Sequence, residues 1–385
     1  MKPLKVNVSQ EEISNLRSRI LNTRWITETG TNAWDSNLTV QFLKELAQSW
    51  VQDFDWRKQE KYLNSFDQYK SVVDGVAIHF VLEKGSGANR TPLLLLHGWA
   101  GNFTDYLKVV RMLNKEYPDL DIIVPSIPGF GFSDTPSAMN SETVAALIQK
   151  LMTEVMGYSQ YYVHGEDFGS FVAERLALDF PDSVKGLHLS DIPYYHLYGY
   201  NENPSQEETD FLEKINNWSM MDGAYAMIQA TKPKTLATGL NDSPMGLAAW
   251  LLQLFNDFSD KEIPLFDRFD KDELLTNISL YWFSEKIYPS MRIYSEDANG
   301  FGEPAKDVVK VPTGFNFYRY DIAGIPPKEF AGRFFNNIIR WTEQDQGGHF
   351  GAMSNPETLK NDLSEFMKQI EAGIKMGHSV FASEM

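Results

Sequence analysis

Asp167 lies in a segment where a carboxylate could act as a nucleophile. The segment reads YYVHGEDFGSFVAERLAL, so a short apolar run enters Gly165-x-Asp167-x-Gly169 and a helical pattern follows at once. A strand-to-helix turn this sharp needs small residues two positions before and after its centre, and it projects the central side chain away from the sheet. Glycine is common enough for a chance match, and an aspartate in such a turn can also cap the helix. On this segment alone, both interpretations stay open.

A second segment could supply hydrogen-bond donors to such a carboxylate. In LLLLHGWAGNFTDY, an apolar run ends in His97-Gly98-Trp99. The backbone N–H groups of Trp99 and of Phe168, the residue after Asp167, would form an oxyanion hole that stabilises negative charge developing on oxygen. Because a glycine turn after a strand is common by itself, this interpretation depends on both segments occurring together.

His349 is the predicted general base. It follows a glycine pair in QGGHFGAMSNPE near the C-terminus, and enzymes built on such a turn place nucleophile, acid and histidine in this chain order. The chain has seven histidines, and the other six are weaker candidates. Four lie in or beside predicted strands, where a structural role is favoured, and two lack flanking glycines: His79, His97, His164 and His188 in the first group, His196 and His378 in the second.

The elements that must position these residues follow a strand–helix alternation. Short apolar runs predict strands at 77–83, 92–96, 121–124, 161–163 and 185–189. The runs are continuous rather than alternating, which is typical of strands buried on both faces. A helical pattern separates them, clearest after Asn140 and Ser141, which are candidate N-caps. This alternation of strands and helices along the chain predicts an α/β fold, in which helices cover a parallel sheet.

The remaining segments predict additions to this core. Residues 9–63 have the pattern of amphipathic helices, with Ser9 and Glu12 at capping-box spacing. From about 191 to 300 the chain is helical and rich in aromatic residues, which indicates an insertion above the sheet. Strand-like runs return at 308–313 and 336–341, and a final helix starts after Asn355 at Pro356. The predicted division is a helical N-terminal region at 1–75, a first core part at 76–190, a helical lid at 191–300 and a second core part at 301–385.

The composition and charge of the chain limit the kinds of ligand that we expect it to bind. The 385 residues carry a formal net charge of −17 with an isoelectric point near 4.9, which disfavours nucleic acid and anionic lipid and favours an uncharged, apolar small molecule. The chain has no cysteine, which excludes thiol nucleophiles, disulfides and thiolate zinc sites. No run of about 18 apolar residues is present and the N-terminus lacks the pattern of a signal peptide, so we expect no membrane anchor and a cytoplasmic location.

Taken together, these segments resemble the microsomal-type epoxide hydrolases, including their juvenile hormone branch. The similarity covers nearly the whole chain: LRSRILNTRW and FDWRKQEKYLNSFDQY resemble the family's N-terminal region, and HGW, PSIPGFGFSD, TKPKTLATGLNDSPMGLAAW, LLTNISLYW, VPTGF and GGHF follow in the family's order. The resemblance implies an α/β-hydrolase fold with a mostly parallel central sheet, a helical lid and a helical N-terminal extension. It implies no metal or organic cofactor, and it leaves open whether the chain forms a homodimer.

The resemblance also implies roles that spacing cannot supply. The family's charge-relay acid lies ten residues after the valine of VPTG, and Asp321 has that position here. Asp191 is the alternative, because it follows the predicted strand at 185–189 and some hydrolases take their acid from that strand. Two lid tyrosines that donate to the epoxide oxygen correspond to Tyr225 in GAYAMIQ and Tyr294 in MRIY. The neighbouring Tyr281 and Tyr288 could be mistaken for the second of them.

In the implied reaction, Asp167 attacks an epoxide carbon and forms an ester. His349, held by Asp321, then activates water to release a vicinal diol.

Three positions depart from the family pattern. Ala100 replaces a proline that often follows a cis bond, which leaves the shape of the oxyanion loop open. Glu166 replaces a glycine and would repel the charge of Asp167 if its carboxylate faced the site. Phe168 replaces tryptophan.

Rival functions remain at this stage. A haloalkane dehalogenase also uses an aspartate nucleophile but needs an indole N–H, commonly on the following residue, and Phe168 has none. An esterase would need serine at position 167. An epoxide-opening cyclase of natural-product biosynthesis would share both tyrosines, and a noncatalytic binding protein would keep only the fold.

Overall fold

A single sheet positions the residues named above. The computed structural model describes residues 1–27, 38–87, 91–198, 203–296 and 307–382. Within these ranges the strands are β1 (Lys2–Pro3), β2 (Gln68–Val73), β3 (Val76–Glu83), β4 (Leu93–Leu96), β5 (Ile122–Pro125), β6 (Tyr161–Gly165), β7 (Val184–Leu189), β8 (Thr313–Tyr320) and β9 (Ile338–Gly348). Their spatial order is β1-β2-β3-β5-β4-β6-β7-β8-β9. All five strands predicted in the first half of the chain are confirmed.

Strands β4 to β9 run parallel to one another, whereas β1 to β3 are antiparallel and join the sheet through β3 and β5. The register aligns the strand ends: Leu96 pairs with Gly165, Gly165 with Leu189, and Tyr320 with Gly348. The carboxyl ends of the parallel strands therefore meet at one edge, where α/β sheets bind ligands.

Helices cover this sheet and extend beyond one edge of it. Those packed on or near the core are α1 (Gln10–Leu21), α2 (Val40–Gln52), α3 (Trp56–Leu63), α4 (Leu107–Glu116), α5 (Ser141–Lys150), α6 (Phe168–Asp179), α14 (Lys328–Gly332), α15 (Gly351–Ser354) and α16 (Pro356–Ala382). Between β7 and β8 the chain forms α7 (Gln206–Met221), α8 (Ala224–Thr231), α9 (Pro233–Asp242), α10 (Pro244–Asp257), α11 (Leu265–Arg268), α12 (Lys271–Ser284) and α13 (Ile287–Glu296). Short helical turns add residues 103–106, 151–155 and 194–197.

Local signals account for several helix starts. The side chain of Ser9 accepts a hydrogen bond from the N–H of Glu12 while the Glu12 carboxylate accepts from the N–H of Ser9, which is the predicted capping box. Asn140 caps α5 through the N–H of Thr143, and Pro356 is the first residue of α16. These caps satisfy N–H groups that have no partner within the helix.

Three sequence predictions are wrong in part. The run at 308–313 is no strand: Val309 makes one isolated bridge, to Phe335, and β8 starts only after Pro312, which has no N–H to donate. The strand predicted at 336–341 begins two residues later than predicted, at Ile338, and continues to Gly348. Its added residues are polar, which suits β9 because it is the edge strand of the sheet. Residues 68–73, predicted within a helical region, form β2, whose mixed polar sequence gives no strand signal. The four-part domain division itself stays a prediction.

Among the described residues, no helix combines the length and the apolar character that crossing a bilayer requires. The side chain of His378 lies outside the part of α16 whose side chains are described.

The turn between β6 and α6 leaves no room for a Cβ at its two glycines. A Cβ on Gly165 would lie 2.3 Å from the carbonyl oxygen of Gly169, and one on Gly169 would lie 2.1 Å from the carbonyl oxygen of Leu96. Because both obstacles are backbone atoms, a clash could be relieved only by moving the start of α6 away from the sheet.

We therefore expect Gly169→Ala to lower the free energy of unfolding by about 2–3 kcal/mol, the usual cost of overpacking. Gly239→Ala is the matched control, because a Cβ there meets nothing within 4 Å on an exposed face of α9 and should stabilise the protein by about 0.5–1 kcal/mol. Denaturant unfolding of both variants measures the difference, and equal stabilities would contradict this account of the turn.

Candidate active site

Asp167 occupies a strained turn at the end of β6. Its backbone has φ +51° and ψ −126°, in the half of φ space that a side chain disfavours. The N–H of Asp167 donates to Oδ2 of Asp191 at 2.6 Å, and Ser170 Oγ lies within hydrogen-bond distance of both the Asp167 carbonyl oxygen and Oδ1 of Asp191. The Asp167 side chain makes no capping hydrogen bond to α6. The helix-cap interpretation of this residue is therefore wrong.

The carboxylate of Asp167 points to two partners. Its Oδ1 accepts a hydrogen bond of 2.7 Å from the backbone N–H of Trp99, and its Oδ2 lies 3.3 Å from Nε2 of His349. Of the two predicted oxyanion amides, only that of Trp99 bonds the carboxylate among the residues described. Phe168 is the first residue of α6, and its N–H makes no hydrogen bond to the carboxylate of Asp167. The amide at one oxygen and the imidazole at the other give the two carboxylate oxygens different environments.

His349 and Asp321 leave the sheet side by side. They directly follow β9 and β8, whose last residues Gly348 and Tyr320 are paired. Nδ1 of His349 lies 2.8 Å from Oδ1 of Asp321, which also accepts the N–H of Ile322 at 2.6 Å.

Two carboxylates control the charge of His349. Burial disfavours the imidazolium, but the negative charges of Asp321 and Asp167 and their hydrogen bonds outweigh it, so the pKa of His349 is held well above its usual value. The ring is 4% exposed, which leaves these charges little screened by water. The imidazole is therefore an imidazolium while Asp167 is ionised.

The two candidate acids lie in different places. Asp321 contacts the imidazole of His349, whereas Asp191 lies under the turn and holds the backbone of Asp167 and the hydroxyl of Ser170. Burial, followed by the charge of Asp321, raises the pKa of Asp191 to about 8. Asp191 thus has the position of a group that shapes the turn, and Asp321 has that of the acid paired with the base.

The two predicted lid tyrosines line the same cavity as Asp167. Tyr225 on α8 and Tyr294 on α13 have ring centroids 6.0 Å apart, and both rings contact the indole of Trp99. Burial, followed by the charge of Asp167, raises the pKa of Tyr225, and burial together with Tyr225 and Asp167 raises that of Tyr294. Both phenols therefore keep their protons and can donate them.

The alternative tyrosines lie elsewhere. The hydroxyl of Tyr281 donates to the carbonyl of Gly101 at 2.9 Å, so it supports the loop after Trp99. Tyr288 lies on the same helix as Tyr294 but does not line the cavity.

The cavity itself is apolar and lined largely by aromatic rings. Asp167, Tyr225 and Tyr294 line it, and its remaining wall includes Phe168, Phe171, Tyr194, Tyr198, Trp218 and Ile293. An apolar ligand of modest size fits such a site, with a few polar groups to orient it.

Ala100 and Glu166, two of the positions that depart from the family pattern, both lie buried beside Asp167 or its loop. The Trp99–Ala100 peptide bond is cis, and the carbonyl of Ala100 accepts from Asn277 Nδ2 at 2.9 Å. Glu166 is 3% exposed, and burial followed by the charge of Asp105 raises its pKa well above the usual value. Glu166 is thereby biased to the uncharged form, which weakens the expected repulsion of Asp167.

The buried histidines His164 and His188 make contacts within the core and do not line the cavity. His164 Nδ1 contacts His188 Nδ1, and His188 Nε2 contacts Asp362 Oδ2, all within the sheet and α16. In the described ranges, no group of three or more His, Asp or Glu side chains is arranged to hold a metal ion.

Sequence reasoning missed Tyr194, whose hydroxyl lies 3.1 Å from Nδ1 of His349. It also missed that Asp191 bonds the backbone of Asp167, because the only local signal is the position of Asp191 just after β7. The chain has 17 tyrosines, and only closeness to the end of a parallel strand distinguishes Tyr194 from the others.

Comparison with known proteins places this arrangement in a class. A family model described as "alpha/beta hydrolase fold" matches residues 91–283, and one described as "Epoxide hydrolase N terminus" matches residues 1–106. The solved structure of Aspergillus niger epoxide hydrolase superposes with a TM-score of 0.83 at 27% identity, covering 96% of both chains. Juvenile hormone epoxide hydrolase from the silkworm Bombyx mori gives 0.84 at 26% identity, over 96% of this chain and 95% of that one. The protein is thus an α/β-hydrolase.

A curated relative narrows the class. "Epoxide hydrolase 1" of Oryctolagus cuniculus is 33% identical over 408 aligned residues, covering 96% of this chain and 89% of that protein. The chain belongs to the epoxide hydrolase family.

The different positions of the two acids predict different mutant activities. Asp321→Asn should reduce kcat about 10³-fold or more, because the imidazole loses the carboxylate that orients it and stabilises its charge. Asp191→Asn should retain most activity, because an amide resembles the protonated carboxyl that a pKa of about 8 favours at neutral pH. Steady-state diol formation at pH 7 measures both, and the reverse ranking would exchange the two assignments.

The charge of Asp167 should be measurable at His349. Asp167→Asn removes one of the two carboxylates that raise the imidazole pKa, so we expect that pKa to fall. NMR titration of the His349 ring protons measures the shift, with Asp182→Asn as a surface control. An unchanged pKa would mean that Asp167 does not act on the ring.

Proposed function

We propose that this chain converts an apolar epoxide and water to a vicinal diol through an ester on Asp167. One observation carries the proposal: the carboxylate of Asp167 and the protonated phenols of Tyr225 and Tyr294 line the same apolar cavity. A strained cyclic ether needs a nucleophile at carbon and an acid at oxygen, and this site offers both.

In the first step, the free electron pair of Asp167 Oδ2 attacks an epoxide carbon. The carbon–oxygen bond of the ring breaks, and its electrons pass to the epoxide oxygen, which takes a proton from Tyr225 or Tyr294. Oδ1 stays on the amide of Trp99 and becomes the carbonyl oxygen of the ester. The resulting phenolate recovers its proton from the His349 imidazolium, whose pKa falls once the charge of Asp167 is gone.

In the second step, neutral His349 takes a proton from water as that water attacks the ester carbonyl carbon. The negative charge that develops on Oδ1 is stabilised by the amide of Trp99, which already bonds this oxygen and contributes about 3–4 kcal/mol in comparable sites. The N–H of Phe168, the second predicted donor, makes no bond to the carboxylate in this structure. The tetrahedral intermediate then expels the diol oxygen, which takes the proton of the new carboxyl group. Asp167 returns as a carboxylate beside an imidazolium held by Asp321, and no cofactor enters the balance.

The geometry disfavours a dehalogenase. Such an enzyme needs an indole N–H for the departing halide, and Phe168 has none. The nearby indole of Trp99 already donates to Ser290 Oγ at 3.0 Å. A cytoplasmic location stays a prediction from the sequence.

Substitution of the nucleophile tests the proposal. With a generic aryl epoxide such as styrene oxide, Asp167→Asn should lower diol formation by at least about 10³-fold, because the amide is too weak a nucleophile to open the ring. Chromatographic measurement of the diol, with circular dichroism to verify folding, decides the question. Unchanged turnover by a folded Asp167→Asn enzyme would contradict the proposed ester on Asp167.

The phenols should act in ring opening. Tyr294→Phe and Tyr225→Phe should each slow it by about 10²-fold, within the range of general acid catalysis, and the double variant should lose more. Tyr288→Phe is the matched control on α13, since its hydroxyl lies outside the cavity. Equal rates for Tyr294→Phe and Tyr288→Phe would remove the phenols from the mechanism.

A further inference from the structure

A third phenol contacts the base. The hydroxyl of Tyr194 lies 3.1 Å from Nδ1 of His349, the nitrogen that also faces Asp321 Oδ1 at 2.8 Å. The planes of the two rings are 26° apart, and Tyr194 lines the cavity beside Asp167. Burial, followed by the charges of Asp321, Asp191 and Asp167, raises the pKa of Tyr194 well above its usual value, so it remains a neutral phenol.

The turn that carries Tyr194 is fixed to the core. Its next two residues, Tyr195 and His196, both bond the carboxylate of Glu174, which is fully buried on α6. The ring of His196 also stacks on Phe334 with centroids 3.7 Å apart. Because α6 begins directly after Asp167, one helix both follows the proposed nucleophile and anchors the turn that holds Tyr194 against His349.

The contacts of His349 change during the proposed reaction. In the free enzyme, Nε2 is held by the charge of Asp167 Oδ2 at 3.3 Å, and the single Nδ1–H is shared between two acceptors, the Asp321 carboxylate and the hydroxyl oxygen of Tyr194. Ester formation turns Oδ2 into a neutral ester oxygen, a much poorer hydrogen-bond acceptor than a carboxylate. The restraint at Nε2 is lost just before Nε2 must face the attacking water, and the polar contacts that then remain on the ring are those at Nδ1, beside its packing against Phe258 and Phe350.

We infer that Tyr194 is a positioning residue for the hydrolytic step: with Asp321, it holds the imidazole of His349 in place once the ester has formed. This inference rests on the proposed ester route. It assigns Tyr194 a role separate from that of Tyr225 and Tyr294, which donate to the epoxide oxygen in the opening step.

The two steps can be measured separately. Enzyme in excess is mixed with styrene oxide and quenched at increasing times, and the peptide containing Asp167 is analysed by mass spectrometry for the ester. For Tyr194→Phe we expect ester formation within about twofold of the unmodified rate and ester decay about tenfold slower, the factor that loss of one such hydrogen bond supplies. Tyr288→Phe, outside the cavity, should change neither rate.

The outcomes separate the two proposals. If the unmodified enzyme forms no ester on Asp167, the proposed function itself fails. If the ester forms but Tyr194→Phe hydrolyses it at the unmodified rate, only the role of Tyr194 is overturned. Slower ester formation with normal decay would likewise overturn it, because Tyr194 would then act on the epoxide. Should Tyr194→Phe unfold, Tyr194→Met is measured in its place with the same expectations.

Discussion

The backbone of Asp167 is the constraint on which the rest of the site depends. A side chain at φ +51° is held there because the backbone on both sides has no freedom to relax. Gly165 and Gly169 pass within contact of other backbone atoms, and Asp191 bonds the Asp167 N–H. The result is a carboxylate whose direction is fixed before any ligand arrives, which is the preorganisation that catalysis of this kind needs.

Charge compensation is the second organising feature. Three acidic groups lie close together near the imidazole but have different surroundings: Asp167 and Asp321 contact the ring of His349, whereas burial raises the pKa of Asp191 and biases it to its neutral form. In the proposed mechanism, alkylation of Asp167 removes one negative charge and thereby frees the imidazole to act as a base. The same event removes a restraint on the ring, so electrostatics and positioning change together.

Local patterns and distant packing contributed differently to what could be predicted. Gly-x-Asp-x-Gly, HGW and GGHF are short, and each of them reports a turn at a strand end, so Asp167, Trp99 and His349 could be proposed from sequence. Asp321 and the two lid tyrosines needed the family resemblance, because nothing local distinguishes them from other acids and phenols.

Other features depended on which elements become neighbours. Tyr194 meets His349 only because β7 lies between β6 and β8 in the sheet and the following turn is anchored on Glu174. Strand β2 was not predicted, and β9 was predicted only over its first residues, for a related reason: both are partly exposed and lack the continuous apolar runs of the buried strands.

The most direct test of the central claim, that Asp167 forms the covalent intermediate, is a single turnover in ¹⁸O-labelled water with enzyme in excess over an aryl epoxide. The ester route predicts one ¹⁸O atom in the carboxylate of Asp167 and an unlabelled diol, because the diol receives its new oxygen from the aspartate. A labelled diol with an unlabelled Asp167 would mean that water attacks the epoxide directly, and it would contradict the account.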